Sequence, residues 1–348
     1  MLDLLDPAVA RRIRIKVIGV GGAGGRAVNN MIRSGLTGVD YGVVDADSNA
    51  LGHSRAAECV QLKIGSAAAA NPDSDVGRAA AFEAREAIAG LLDGADMVFV
   101  VAGLGGDTGT GAAPVVCEVA RDLGALTVGV LSLPRPFEGR RRWQRAQDGF
   151  AAVMAQADAI IRTPPTLDLA VGFDMVEDRR PAERAEAVQA GRFGAADDAM
   201  RKAVAAITEL VDGRGGNGDE FAFVRAELTG PGPAGIGIGA ASGSDRTMDA
   251  AERALESLRH GANILGAKRL LLSFRASSSL DQPEIDDAIA LLWEECGVET
   301  RLTSRFIVDH ALGDEVRMVV VASGLCFGPR MFSTLRKAPA RTPPGPGL

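Results

Sequence analysis

Gly103-Leu-Gly-Gly-Asp-Thr-Gly-Thr-Gly-Ala-Ala-Pro114 decides the fold of this chain. The apolar run Met97–Val101 before it reads as a buried strand, and the pattern Ala113–Leu123 after it reads as a helix. Gly103, Gly105, Gly106, Gly109 and Gly111 let the backbone come close to a ligand, and Thr108 and Thr110 add hydroxyl donors. A helix N-terminus behind such a loop favours anions, through its free N–H groups and its dipole. The stretch reads as a phosphate cradle. Its spacing is neither that of a Walker loop, which needs Gly-Lys-Ser/Thr, nor G-x-G-x-x-G.

A second cradle lies upstream. Ile13–Val20 is an apolar strand, Gly19-Val-Gly-Gly-Ala-Gly-Gly25 follows, and a helix runs over Gly25–Ser34. Alone, this glycine run is a weak signal, shared with many dinucleotide-binding domains or explained by tight packing. Two such loops at strand ends point together to phosphate binding.

Length and composition agree with a folded chain. At 348 residues, two domains with ample core are expected. The net charge of -7 and the scattered basic residues argue against a nucleic-acid surface. Arg140–Arg142 is the one basic cluster, and three arginines are too few to change that. Cys59, Cys117, Cys296 and Cys326 lie far apart without metal-ligand spacing, so neither a metal site nor a disulfide is expected, and a reducing cytoplasm fits. Met1–Arg12 lacks the apolar segment of an export signal, and no run reaches membrane-span length.

Strand and helix patterns alternate up to about residue 180. Strands are expected at Ile13–Val20, Tyr41–Asp45, Met97–Val101, Leu126–Leu131 and Ala159–Ile161, and helices at Gly25–Ser34, Gly77–Leu92, Ala113–Leu123 and Arg141–Ala155. That alternation predicts a Rossmann-like α/β domain, residues 1–180, whose parallel sheet is covered on both faces. Its ligand should sit at the strand C-termini, where both glycine loops fall. A long central helix from Pro181 to Val211 carries Phe193, Met200, Val204 and Ile207 at helical spacing, and Gly213–Gly218 ends it, so residues 181–217 form a connecting unit. Residues 218–326 form a smaller α/β domain, with strands near Gly235–Ala240, Arg269–Phe274, Arg301–Val308 and Val316–Ala322 and helices at Asp245–Leu258 and Gln282–Cys296. The proline-rich end, 327–348, reads as disordered.

The pair of loops resembles FtsZ, the tubulin-like cell-division GTPase family of bacteria, whose signature is GGGTGTG. Here Gly105–Gly111 reads Gly-Gly-Asp-Thr-Gly-Thr-Gly. The resemblance spans about Ile13 to Leu325 and includes Ile15-Lys-Val-Ile-Gly-Val-Gly-Gly22, Gly94-Ala-Asp-Met-Val-Phe-Val100, Phe137-Glu-Gly-Arg-Arg-Arg142 and Leu312-Gly-Asp-Glu-Val-Arg317. It implies GTP or GDP held by Gly21, Gly22, Ala23, Gly24 and Gly25 with the loop Gly105, Gly106, Asp107, Thr108, Gly109, Thr110 and Gly111. Glu138 and Arg142 match residues that contact the ribose and phosphate side. Phe193 matches an aromatic packed on guanine, and Asp197 and Asp198 match the pair that reads the base edge. Asp47 matches the Asp of the family's Asn-Thr-Asp loop. Without the resemblance, Phe193 reads as core, Glu138 and Arg142 as a solvated pair, and Asp197-Asp198 as an exposed acidic spot.

Departures matter as much. Asp107 replaces a glycine of the signature and brings a carboxylate among phosphates. Two unit charges about 4 Å apart repel by roughly 4 kcal/mol at an effective dielectric near 20. The loop must swing Asp107 away, bridge it with magnesium, or lose affinity; Arg26, standing where the family commonly has Asn, is a candidate to offset the charge. Asp45 replaces another nucleotide-loop Asn, Pro165 replaces a guanine-contacting Asn, and the loop Ser66–Asp75 lacks the family's glycine-rich run over the terminal phosphate.

The family's Asn-Leu-Asp-Phe-Ala-Asp-Val loop enters a neighbouring subunit's nucleotide site, where its two acids position water. Counting back without a gap from Gly237-Ile-Gly-Ala-Ala-Ser-Gly243 aligns it with Gly218-Asp-Glu-Phe-Ala-Phe-Val224. Glu220 keeps the first acid, while Phe223 replaces the second and cannot accept a proton. A one-residue slip in register lets Asp219 or Glu220 substitute. The resemblance therefore implies a head-to-tail self-assembling protein with weak hydrolysis, co-assembling with a true FtsZ or forming its own polymer. The family's C-terminal docking peptide finds no match in Met331-Phe-Ser-Thr-Leu-Arg-Lys337, so direct membrane recruitment is not expected. A fully active division GTPase and a nucleotide-independent regulator remain open. A Rossmann oxidoreductase leaves residues 105–111 and 218–224 without a role.

Overall fold

The computed structural model describes residues 13–64, 74–134, 138–163, 181–211, 218–229, 234–261, 264–277, 280–297 and 300–325. Six strands, β1 (Ile15–Val20), β2 (Val39–Asp45), β3 (Glu58–Gln61), β4 (Met97–Gly103), β5 (Leu126–Ser132) and β6 (Ala159–Thr163), form a sheet ordered β3-β2-β1-β4-β5-β6. Every pairing in it is parallel. The sequence reading missed β3, whose four residues Glu-Cys-Val-Gln carry little apolar signal at the sheet edge.

The apolar runs are buried because both sheet faces are covered. Val98, Val100 and Ala102 of β4 face one cluster, and Met97, Phe99 and Val101 face the other. On the first face lie α3 (Ser74–Glu83), α4 (Arg85–Leu92), α5 (Asp107–Asp122) and α6 (Arg140–Met154). On the second lie α1 (Gly21–Arg33) and the long α7 (Pro181–Val211). The short α2 (Ser48–Gly52) links β2 to β3. Buried Lys16 on β1 is satisfied by the Leu91 carbonyl at 2.7 Å.

Several boundaries differ from expectation. The first helix starts at Gly21 rather than Gly25, and α5 starts at Asp107 rather than Ala113, so both glycine runs fold into first turns of helices. Pro114 is accommodated inside α5 at the loss of one N–H donor. The helix expected over Gly77–Leu92 breaks at Ala84 into α3 and α4. The stretch expected as an acid loop, Gly218–Val224, is instead the start of α8 (Gly218–Leu228). Phe221, Val224 and Leu228 are buried with one helical face toward the second cluster, which makes helix the better solution there.

The second sheet contains β7 (Gly235–Ala241), β8 (Arg269–Ala276), β9 (Arg301–Val308) and β10 (Val316–Ser323), ordered β7-β10-β8-β9. β10 runs antiparallel to β7 and β8, and β8 parallel to β9. Helices α9 (Arg246–Gly261) and α10 (Gln282–Cys296) cover one face. Asp281 and Glu284 form a reciprocal capping box that fixes the start of α10. The two sheets are tied together. Ala234 donates to the Ile160 carbonyl at 3.1 Å, Arg275 pairs with Glu209 at 3.0 Å, and Leu271 and Val321 share the cluster buried beneath α7. No helix of the described residues is long and apolar enough to cross a membrane.

Candidate functional site: two helix N-termini at the sheet's switch point

The strand order reverses between β1 and β4, and open α/β sheets bind ligands in the crevice beyond such a point. Here β1 leads into Gly21–Gly25 and β4 into Gly105–Thr110. The two loops touch: a Cβ on Gly21 would lie 2.8 Å from the backbone nitrogen of Gly109, and Gly21 sits at φ +68°. Neither helix has a side-chain N-cap, since Val20 and Gly106 occupy those positions. First-turn N–H groups of α1 and α5 thus converge without an internal acceptor from a cap, the arrangement that suits an anion. Gly22, Ala23, Gly25, Gly106, Asp107 and Thr108 are the accessible members, whereas Gly21, Gly24, Gly105, Gly109, Thr110 and Gly111 are buried beneath them.

Thr110 has a structural duty. Its hydroxyl oxygen accepts the Gly105 N–H at 2.8 Å inside the loop. Gly105, at φ +98°, takes the Arg142 side chain against it; a Cβ there would lie 2.7 Å from Arg142 Cγ. Arg142 Nε in turn reaches Glu138 at 3.2 Å, so these two residues form an ion pair at the start of α6, beside the signature loop.

Asp107 is not offset by Arg26. Its carboxylate accepts from Arg145 Nη1 at 2.5 Å, one turn along α6 from Arg142. Arg145 is a cation that the sequence did not single out as the partner of this acid. The only available signals were the unexpected acid and the Arg142–Arg145 spacing, which places both on one helical face. Asp107 is the one acid of residues 103–114, and among the described residues no group of three or more His, Cys, Asp and Glu side chains could hold a metal ion.

Arg26 faces α7 instead. Its Nε lies 3.6 Å from Asp197 across the α1–α7 contact. Asp197 is buried, which pushes its carboxyl up to about 6, against the opposing pull of Arg26 and Arg33. Asp198 instead pairs with Arg201 at 2.6 Å and Lys202 at 3.0 Å on its own helix. Its partial burial works to raise the carboxyl, but those two cations outweigh it and hold the group below its ordinary value. Asp47 caps α2, accepting from Asn49 and Ala50 N–H at 2.9 and 3.3 Å. Asp45, buried at the end of β2, is pushed up by burial although it accepts the Ala46 and Asp47 N–H groups.

Phe223 is half-buried and packs on the cluster beneath α7, so its ring anchors α8 as well as occupying the position aligned with an acid. The side chains of Phe193, Asp219 and Glu220 lie outside the described residues, as do Pro165, most of Ser66–Asp75, Gly213–Asn217, and both chain ends.

A parallel sheet with paired phosphate-type loops at its switch point defines a nucleotide-binding α/β protein. Comparison narrows this: the Tubulin/FtsZ family GTPase domain matches residues 14–164, and the FtsZ family C-terminal domain matches residues 232–326. The chain belongs to the Tubulin/FtsZ family. Among solved structures it is similar to a mutant FtsZ of M. jannaschii, with 28% identity, a TM-score of 0.71, and coverage of 90% of this chain and 92% of that one. An empty FtsZ dimer from M. jannaschii gives 28% identity and a TM-score of 0.70 over 90% and 88% of the two chains. A GTPγS-bound protofilament of CetZ2 from Haloferax volcanii shares the fold, at 20% identity and a TM-score of 0.71 over 92% and 96%.

Proposed function

We propose that this chain is a GTP-binding, filament-forming cytoskeletal protein of the division-GTPase type, with weak hydrolysis at the interface between subunits. The observation that carries the reading is the contact of Gly21 with Gly109, which joins two uncapped helix N-termini at the sheet's switch point. Membership of a GTPase family supports the guanine nucleotide as substrate. In this reading the phosphates lie on Gly21–Gly25 and Gly105–Thr110, flanked by Glu138 and Arg142. The base lies toward Phe193, Asp197 and Asp198. A carboxylate suits guanine there because the base presents adjacent N–H donors.

Hydrolysis requires the next subunit. Glu220, or Asp219 in a shifted register, supplies one acid, and Phe223 stands where a second would orient and deprotonate water. An aromatic ring accepts no proton, so the interface forms while its chemistry is impaired. The dimer and protofilament forms of the similar structures support head-to-tail self-association. Co-assembly with a conventional FtsZ follows from the same interface. GTP facing Phe223 would be spared, and GTP held by this chain would still be cleaved when a conventional subunit faces it.

One observation favours a second reading, a nucleotide-independent regulator: Asp107 and Asp197 already have internal cationic partners in Arg145 and Arg26. Nucleotide content of the purified protein, then sedimentation with and without GTP and magnesium, separates the two. GTP-dependent pelleting with little phosphate release supports the leading reading. Rapid release identifies a fully active GTPase, and absence of nucleotide with unchanged pelleting identifies the regulator.

A further inference from the structure

We propose that Asp107 and Arg145 form a clasp through which the signature loop distinguishes a nucleoside triphosphate from a diphosphate, the terminal phosphoryl group taking Arg145 away from Asp107. The clasp presupposes the nucleotide site proposed above. Three observations place it. Asp107 is the first residue of α5, so it stands at the helix end where phosphate would be received, with its carboxylate on Arg145. Arg145 shares a helical face with Arg142, and Arg142 is seated against Gly105, so that face of α6 is turned onto the loop. The pair is accessible, with 29% of the Arg145 and 36% of the Asp107 side chain exposed, so an anionic ligand reaches it without unfolding anything.

The electrostatics give each partner an opposite effect. Closed, the pair is neutral and neither attracts nor repels an incoming phosphate. Opening exchanges one anion for another on the guanidinium and leaves the Asp107 carboxylate to water. A planar guanidinium binds phosphate at least as well as it binds a carboxylate, so the exchange is feasible for an outer phosphoryl group. A diphosphate is one phosphoryl shorter and leaves the clasp shut. Loss of Arg145 would expose a bare carboxylate to the longest nucleotide, and loss of Asp107 would remove an anion that competes with phosphate for Arg145.

The test uses the full chain, with GDP and slowly hydrolysed GTPγS titrated by calorimetry into the parent, Asp107→Asn, Arg145→Gln, Arg145→Lys and the Asp107→Asn/Arg145→Gln double variant. The chain has two tryptophans, and Trp143 lies on α6 between Arg142 and Arg145, so Trp293→Phe leaves a reporter beside the clasp. Arg145→Gln should weaken GTPγS about tenfold and GDP less than about threefold, the scale of one charge-assisted hydrogen bond. Asp107→Asn should tighten GTPγS selectively. The double variant should return toward the parent's ratio, and Arg145→Lys should largely keep it. Trp143 emission should respond to GTPγS and not to GDP. Equal changes for both nucleotides, or none, in variants whose circular dichroism and Tm match the parent would overturn the clasp while leaving nucleotide binding intact. A parent that binds neither nucleotide overturns the clasp together with the binding on which it depends.

Discussion

The backbone nitrogen of Gly109 lies where a side chain on Gly21 would begin, 2.8 Å from the ideal Cβ position. The two loops therefore work as one object. Gly21→Ala forces a left-handed backbone, costing about 1–2 kcal/mol, and adds a contact with backbone that cannot rotate away. A fall in Tm of roughly 3–7 °C is expected, with loss of guanine-nucleotide binding. Scanning calorimetry and a nucleotide-content assay check both.

Acidity should pull binding and stability in opposite directions through Asp197. Burial raises its carboxyl to about 6, above its unfolded value, so the folded protein holds the proton more tightly. Its contribution to stability is then greatest at low pH and declines as pH rises through the window up to about 6. Guanine reading needs the ionised form and should fade as pH falls through the same window. Comparing Tm and GDP affinity at acidic and neutral pH for the parent and Asp197→Asn isolates this group. If both proteins keep the same pH dependence of affinity, Asp197 does not read the base.

Asp47 carries a structural load whatever else it does. Removing the carboxylate that accepts the Asn49 and Ala50 N–H groups should cost about 1 kcal/mol. Urea unfolding of Asp47→Ala measures that. Asp47→Asn and Asp47→Ser, which keep a cap, should lose less.

Much of this molecule was legible in its sequence, for a physical reason. Strands buried on both faces, such as Ile-Lys-Val-Ile-Gly-Val at Ile15–Val20, must be nearly all apolar, and α7 had to carry Met200, Val204 and Ile207 on one face. What escaped depends on partners distant in sequence. Arg145 meets Asp107 across 38 positions, and nothing local to either residue announces it. Arg26 adjoins the phosphate loop in sequence, yet its Nε faces Asp197 on α7. The start of α8 was expected as a loop because it aligns with the loop of the resembled family, yet Phe221, Val224 and Leu228 share a face that a helix buries together. The glycine runs misplaced two helix starts because glycine disfavours a helix interior, and here close contact between backbones outweighs that preference.

Phe223 is the residue proposed above to face the neighbouring subunit's nucleotide. Phe223→Asp should lower stability by about 1–3 kcal/mol, because the ring is half-buried against the core. Its effect on chemistry should be of opposite sign. The decisive measurement is phosphate release per unit of pelleted polymer, for parent and Phe223→Asp at the same GTP concentration. A rise on the order of 10²-fold in the variant is predicted, the scale of a restored general-base contribution. Equal rates at equal polymer mass would contradict the claim that Phe223 is what limits hydrolysis.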